Sequence, residues 1–273
     1  DIPRGVMMHD FAITENYTIF MDHPLTFSIE RAMKGGGVLE FERDLPSRYG
    51  IMPRHGTNED VKWFDLPSHY VYHTSNAHEE GDEVVVMGSR LRSTKVLQPA
   101  EMPSEGAGSD DNGWNDMGRM HRWRFNMKTG TYTEEQIDDI PTDFGRTNDN
   151  LVGRKSRYDY AARFAKSDET DVPPAFEGLH KYDKQTGRMT AHLHGQGRYG
   201  GEGVFVPRDG ATEEDDGWLV TYVYDQRAGT SEMVVVDARN MDAAPVARVM
   251  IPSRVPLSGE SRSRVSSAVM PSL

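Results

Sequence analysis

RWRFNMKTGTYT at residues 122–133 and LHKYDKQTGRMTA at residues 179–191 are one phrase written twice: a strand pattern ending on Asn126 or Asp183, a tight turn, then a second strand. A third copy, MVVVDARNMDAAPVARV at 233–249, turns at Asp237. Asn, Asp and Gly mark such turns because their side chains bond nearby backbone N–H groups or tolerate positive φ. The turns recur about every 55 residues, a period that suits one four-stranded propeller blade. Unrelated hairpins drawing on the same turn residues would resemble one another too, so the period favours a propeller without forcing it.

Outward from these phrases, the runs YTIFM, VKWFDL, YVYHT, EVVVMG, GVFVPR and WLVTYVYD are short and either alternating or β-branched. That is strand grammar. IERAMKG at 29–35 is the best helical candidate, and an all-β protein follows. Residues 1–256 read as one propeller domain. Two polar stretches, 103–118 and 166–178, read as surface loops. Beyond Pro256 the pattern gives way to Ser and Arg without period, so 257–273 is expected to be an aberrant, disordered tail.

Composition removes several kinds of chemistry. The 273 residues hold 43 Asp and Glu against 31 Lys and Arg, a net charge of −12, so there is no basic stripe for phosphate backbones and nucleic acid is excluded as a partner. With no cysteine, disulfides, thiolate metal sites and thiol catalysis are excluded too. A metal here must be held by His, Asp or Glu. No apolar run approaches the roughly 18 residues of a spanning helix.

Ten histidines are present. His23, His55 and His69 adjoin turn-like residues, His192 and His194 read as surface positions on one strand face, and His121 and His180 start equivalent repeat strands. His9, in MMHDFAI, and His73, in YVYHTSNA, are different in kind. Both lie in apolar, β-prone segments, where an unpaired imidazole costs about 1–3 kcal/mol. A core hydrogen bond or a metal would satisfy either one, and spacing alone does not choose. Glu202, in RYGGEGVFVPR, is poorly explained as a surface charge and calls for a partner, a ligand histidine among the candidates. The acidic EEDDG run at 213–217 reads as a turn before a strand rather than a calcium loop. GRYGGEG lacks the following helix of a dinucleotide fingerprint.

Taken in order, MMHDFAITEN, YHTSNAHEEGDEVVVMGS, GRKSRYDYA, RYGGEGVFVPR, EEDDGWLVTYVYD, SEMVVVDA and IPSRVP resemble the carotenoid cleavage oxygenases, nearest the plant-type branch that includes the 9-cis-epoxycarotenoid dioxygenases. The resemblance runs from residue 1 to about 256. It implies part of a seven-bladed β-propeller with an iron(II) cofactor on the axis, held by four histidines, that cleaves a conjugated double bond of a carotenoid or apocarotenoid with O2 to give carbonyl products. His9 matches the second family ligand and His73 the third. Glu202 and Asp143 fall where the family has glutamates that orient the ligands. The aspartate is one methylene shorter, which puts its reach to an imidazole in question by roughly 1.3–1.5 Å; His73 is the ligand it is expected to serve. Phe11, beside His9, matches a wall position of the substrate tunnel, although a core phenylalanine would read the same way. Peripheral membrane association and a plastid or cytoplasmic location are further implications, and no oligomeric state is indicated.

The departures from the family pattern carry expectations of their own. The first ligand would lie upstream of Asp1. The fourth would follow Arg-Val-Pro, but the last histidine of the chain is His194. Thr74, Ser75 and His78 stand where the plant-type branch has Leu, Trp and Trp. A chain with two ligands is expected to be catalytically incompetent alone, which keeps open a non-catalytic propeller segment that binds a hydrophobic ligand or a protein partner.

Overall fold

The repeated phrases fold as the outer hairpins of successive sheets. In the computed structural model, which describes residues 2–93, 117–166 and 175–255, the first sheet holds β1 (Phe11–Ile13) and β2 (Tyr17–Asp22). An excursion of β3 (Leu25–Phe27), α1 (Ile29–Met33) and β4 (Leu39–Phe41) follows, and β5 (Ser47–Pro53) and β6 (Lys62–Leu66) close the sheet in the order β1-β2-β5-β6. The short helix stops before the expected Gly35, which takes φ 86° just beyond its C-cap Lys34.

The second unit is β7 (Tyr70–Glu80), β8 (Glu83–Leu91), β9 (Arg119–Asn126) and the first half of β10 (Tyr132–Arg146). The second half of β10 leaves β9 and pairs with β11 (Tyr158–Phe164), opening a third unit completed by β12 (Phe176–Asp183) and β13 (Arg188–Leu193). The fourth comprises β14 (Arg198–Gly200), β15 (Val204–Pro207), β16 (Gly217–Asp225), β17 (Thr230–Asp237) and β18 (Ala247–Ile251). All the pairings are antiparallel, and β10 and β14 stitch the last three units into one continuous path. Consecutive antiparallel units of this kind, with β14 and β15 together taking one strand's place beside β16, are propeller blades. The chain is an all-β, partial propeller.

The turn residues work as their types predict. Asn126 Oδ1 accepts from the backbone of Lys128 and Thr129, Asp183 Oδ1 from Gln185 and Thr186, and Asp237 Oδ1 from Arg239. Apolar faces then stack blade on blade. Ile19, Tyr49, Ile51 and Phe64 of the first pack on Val84, Val86, Trp123 and Phe125 of the second. Met87 and Met120 meet Ala161 and Tyr182 across the next interface. Tyr160, Phe176 and Leu179 meet Phe205, Leu219 and Val234 across the last. Each such side chain is worth about 1.5–3 kcal/mol of burial, so these interfaces are the core.

The polar stretch expected as a loop over 166–178 ends earlier than that. Phe176–Gly178 already belong to β12, and Phe176 is buried against Phe164 at a ring separation of 4.5 Å. Residues 167–174 of that loop, most of the 103–118 loop and the 257–273 tail lie outside the described residues. Among the described residues no helix is long and apolar enough to cross a membrane.

Candidate metal centre

The opening strand of each blade brings one singled-out residue to the inner side of the structure. His9 lies two residues before β1, His73 in β7, Asp143 in the second half of β10, and Glu202 two residues before β15. His9, His73 and Glu202 line one cavity of about 430 Å³, and Asp143 stands behind His73. Residues separated by as many as 193 positions, from His9 to Glu202, thus meet because successive blades repeat the same placement.

The two imidazoles converge through matching atoms. Nε2 of His9 and Nε2 of His73 are 3.3 Å apart, with the rings nearly perpendicular at 81°. His9 also meets Tyr72 edge-on, at a centroid separation of 5.4 Å. On the far side of the His73 ring, Nδ1 lies 3.0 Å from Asp143 Oδ1. A carboxylate accepts, so Nδ1 carries the proton and the Nε2 lone pair of neutral His73 faces His9.

Asp143 therefore reaches after all. The backbone is irregular at this point: the β10–β11 register shifts between Asp143 and Arg146, and Phe144 adopts φ 54°. Left-handed backbone is unfavourable for a bulky residue. Here it lets the Phe144 N–H donate to Asp143 Oδ1 at 2.8 Å and stacks the Phe144 ring on His73, at 4.4 Å and 28°. Gly145 permits the close approach of β10 to β7, since a Cβ there would lie 2.2 Å from Ser75 Oγ.

Sequence reasoning missed a second organiser. Asp10 accepts through Oδ2 from both the backbone N–H and the hydroxyl of Thr74, each at 2.8 Å, and through Oδ1 from the Phe11 N–H. It ties the strand entry carrying His9 to the residue after His73. The signal was the acid directly following His9, together with the threonine that replaces an apolar residue at 74.

Glu202 departs from expectation. Its hydrogen-bond partner is Arg146, at 3.1 Å, rather than a histidine, and its side chain is 41% exposed at the cavity. It acts on His73 through charge alone. Burial disfavours the imidazolium of His73, but the hydrogen bond and charge of Asp143, helped by Asp10 and Glu202, raise its pKa above the ordinary histidine value. Phe11 is not a core residue: it is 56% exposed, lines the cavity, and stacks on Phe20 at 6.4 Å.

The other histidines are more buried than their turn-like or alternating contexts suggest. His192 and His194, expected on the surface, are 5% and 4% exposed. The His192 ring faces the backbone of Met241 and Ala243, just past β17 of the fourth unit, and His194 follows the end of β13. His23 and His69 are buried between the first two blades, where His69 Nε2 meets the Tyr49 hydroxyl at 3.0 Å and its ring stacks on Trp123. Burial, assisted by Arg90, pushes the His69 pKa down to about 3, and burial beside His192 does the same to His194. These are neutral core groups.

A single ion can touch both cavity histidines, because the 3.3 Å between their Nε2 atoms is less than two metal–nitrogen bonds of about 2.1 Å each. Neutral imidazole with a carboxylate behind it is the donor arrangement metals favour. Among the described residues no group of three or more His, Asp or Glu side chains converges on one point. The pair fits part of a metal coordination shell.

The family model described as RPE65, retinal pigment epithelial membrane protein, matches residues 1–258. A carotenoid 9,10(9',10')-cleavage dioxygenase of Crocus sativus is 38% identical over 272 residues, covering 93% of this chain and 48% of the relative. The chloroplastic 9-cis-epoxycarotenoid dioxygenase NCED6 of Arabidopsis thaliana is 33% identical over 262 residues, with 93% and 42% covered. The crystal structure of cobalt-substituted Synechocystis ACO superposes with a TM-score of 0.78 at 27% identity, covering 92% of this chain and 52% of that one. The chain spans about half the length of the curated relatives it matches.

Proposed function

This chain belongs to the RPE65 and carotenoid cleavage oxygenase family, and from that premise we propose that it forms part of an iron(II)-dependent dioxygenase cleaving a conjugated double bond of a carotenoid or apocarotenoid with O2. The observation that carries the reading is the convergence of His9 and His73 through Nε2 with Asp143 behind. His9 and His73 would hold the ion. When bound, iron(II) supplies activation of O2 beside an electron-rich double bond.

The chain's own residues do the positioning. Asp143 accepts the hydrogen bond from Nδ1–H and holds the His73 ring in the tautomer that presents a lone pair at Nε2. Asp10 fixes His9 relative to β7. Phe11, Ile13, Phe144 and Val152 give the cavity apolar walls that would seat a polyene. Glu202 adds negative charge and pins Arg146, which would otherwise present an unneutralised cation to an apolar substrate. The shared placement on opening strands supports these assignments together.

Peripheral membrane association is part of the same reading. Phe27, Ile29, Met33 and Val38 are exposed on the excursion between β2 and β5, whose buried side packs Leu25 and Leu39 on Tyr70 and Leu91 at the end of the blades where β7 begins. An apolar patch at that end could contact the bilayer that stores a lipophilic substrate. The chloroplastic location of NCED6 makes a plastid the compartment to test first.

A non-catalytic, ligand-binding propeller is the second reading, favoured by the convergence of only two imidazoles among the described residues. Metal analysis of the purified chain decides between them. Stoichiometric iron that is lost on His73→Ala, with O2-dependent bleaching of a carotenoid in the longer protein, supports the dioxygenase. A metal-free chain that still binds apocarotenoid overturns it.

A further inference from the structure

Residues 7–16 and strand β7 run side by side in step, although among the described residues they share no strand pairing. β1 belongs to the four-stranded sheet and β7 to the long one, and His9 itself lies outside any strand. Side chains join the two segments instead. The Tyr70 hydroxyl donates to the Met7 carbonyl at 2.7 Å, Thr74 donates twice to Asp10 Oδ2 at 2.8 Å, and Glu79 accepts from Thr14 and Asn16. Each of these bonds joins residues 63 to 65 positions apart, and His9 meets His73 at an offset of 64. A constant offset means that both segments run in the same direction in one register, with the histidine pair between the first two rungs.

The two end rungs are firmly built. Tyr70 is 1% exposed and packs with Met7, Tyr72 and Leu25, and the Met7 N–H donates to the Leu25 carbonyl at 2.8 Å, so Met7 is held through both its N–H and its carbonyl. At the other end, Glu79 Oε1 accepts from the Thr14 hydroxyl at 2.6 Å and the Asn16 N–H at 2.8 Å, and Oε2 from the Asn16 amide at 2.9 Å. Burial opposes the charge on Glu79, yet these bonds outweigh it and hold its carboxyl below the ordinary value. A carboxylate with three donors is an anchor, since charge-assisted bonds are stronger than neutral ones.

Register matters at the histidines because the gap between them is small. A slip of one residue would displace His9 by about 3.3 Å along the strand direction, as much as the whole Nε2 separation of 3.3 Å, whereas a working constellation tolerates errors of only about 0.5 Å. A backbone ladder would forbid such a slip, and here side-chain bonds take its place. We infer that Tyr70 and Glu79 are positioning residues for the metal centre, setting the register of His9 against His73 from the two ends of this side-chain ladder. The inference rests on the reading of the pair as metal ligands. Tyr70 lies three residues from His73, about 10 Å along a strand, and Glu79 six, about 20 Å, so Tyr70 has the larger effect.

The test uses the whole chain with isotope-labelled histidine and the variants Tyr70→Phe, Glu79→Ala and Glu79→Gln. In the metal-free parent, a nuclear Overhauser cross-peak is expected between the His9 and His73 rings, whose centroids are 5.1 Å apart. Tyr70→Phe is expected to remove most of it and to weaken cobalt(II) binding about 10-fold, the low end of the loss of an outer partner. Glu79→Ala is expected to weaken both by less, and Glu79→Gln, which keeps an oxygen for Thr14 and Asn16, to restore them. Tyr49→Phe removes an equally buried hydroxyl outside the cavity, the one at His69, and is expected to lower Tm with the cross-peak unchanged. A cross-peak absent from the parent, or intact in both Tyr70→Phe and Glu79→Ala, overturns the inference; should Tyr70→Phe not fold, the two Glu79 variants decide alone. A parent that takes up neither iron nor cobalt but loses the cross-peak as expected sinks the dioxygenase reading and keeps the ladder, while iron bound equally by parent and variants with an unmoved cross-peak does the reverse.

Discussion

Two groups of histidines in this molecule have the same residue type and opposite fates. His9 and His73 stand at the inner ends of the first two blades, with ring nitrogens turned toward each other and a carboxylate behind one of them. His23, His69 and His194 lie in the stacked interfaces between blades, where burial holds them neutral. The difference is what each ring faces. An interface ring exchanges water for packed neighbours and for whatever hydrogen bonds the blades supply, two at His69 and one at His23, while the His73 ring keeps one nitrogen for a carboxylate and one for an open space that a ligand can enter.

Substitutions should separate the groups in opposite directions. His9→Ala or His73→Ala is expected to lower iron affinity by more than about 100-fold, exceeding the usual effect of losing an outer partner, with little change in Tm. Retained iron by elemental analysis would refute the ligand assignment. His69→Ala should do the reverse, destabilising the chain by about 2–4 kcal/mol through a cavity and an orphaned Tyr49 hydroxyl while iron binding is unchanged. Urea denaturation followed by metal analysis reads both.

Asp143→Ala comes next, with an expected loss of about 10–100-fold in metal affinity and no comparable loss of fold, since its main contact is one imidazole. An unaltered affinity would mean that Phe144 stacking alone orients His73.

The interface histidines also predict an acid dependence. Their folded pKa values, about 3 for His69 and His194, lie below the unfolded value of 6.5. The unfolded chain therefore takes up more protons as the pH falls from about 6.5 toward 3. Stability should decline on acidification across that window, by at most about 1.4 kcal/mol per pH unit for each group, and be regained above it. A His194→Gln variant with an unchanged slope between pH 6 and 4 would show that residue to be protonated in the fold.

The smallest effect is expected at Glu202. Because its partner is Arg146 rather than a histidine, Glu202→Gln should change metal affinity by less than about 10-fold, below the range typical of a directly bonded outer carboxylate. A larger loss would place Glu202 on a ligand contributed by another part of the protein.

Much of the fold was legible because blades are local. Alternation along each strand and Asx turns at Asn126, Asp183 and Asp237 act over a few residues, and repetition made them visible. The residues of the candidate site could be named from the sequence, but their geometry could not. His9, His73 and Asp143 came from ordered motifs, but Asp143 meets His73 beside a left-handed phenylalanine and a register shift that no motif encodes. The burial of His192 and His194 was misread because strand alternation shows two faces without saying which of them a neighbouring blade will cover.

The sequence by itself determined the strand grammar, the turn chemistry, the absence of thiol chemistry and the residues able to bind a metal, all of which depend on side-chain type and near neighbours. Only the tertiary structure decided which histidines face a cavity and which face a core, and which carboxylate pairs with which base. Those outcomes follow from the stacking of blades, because desolvation and electrostatics depend on what surrounds a group in space rather than on what precedes it in the chain.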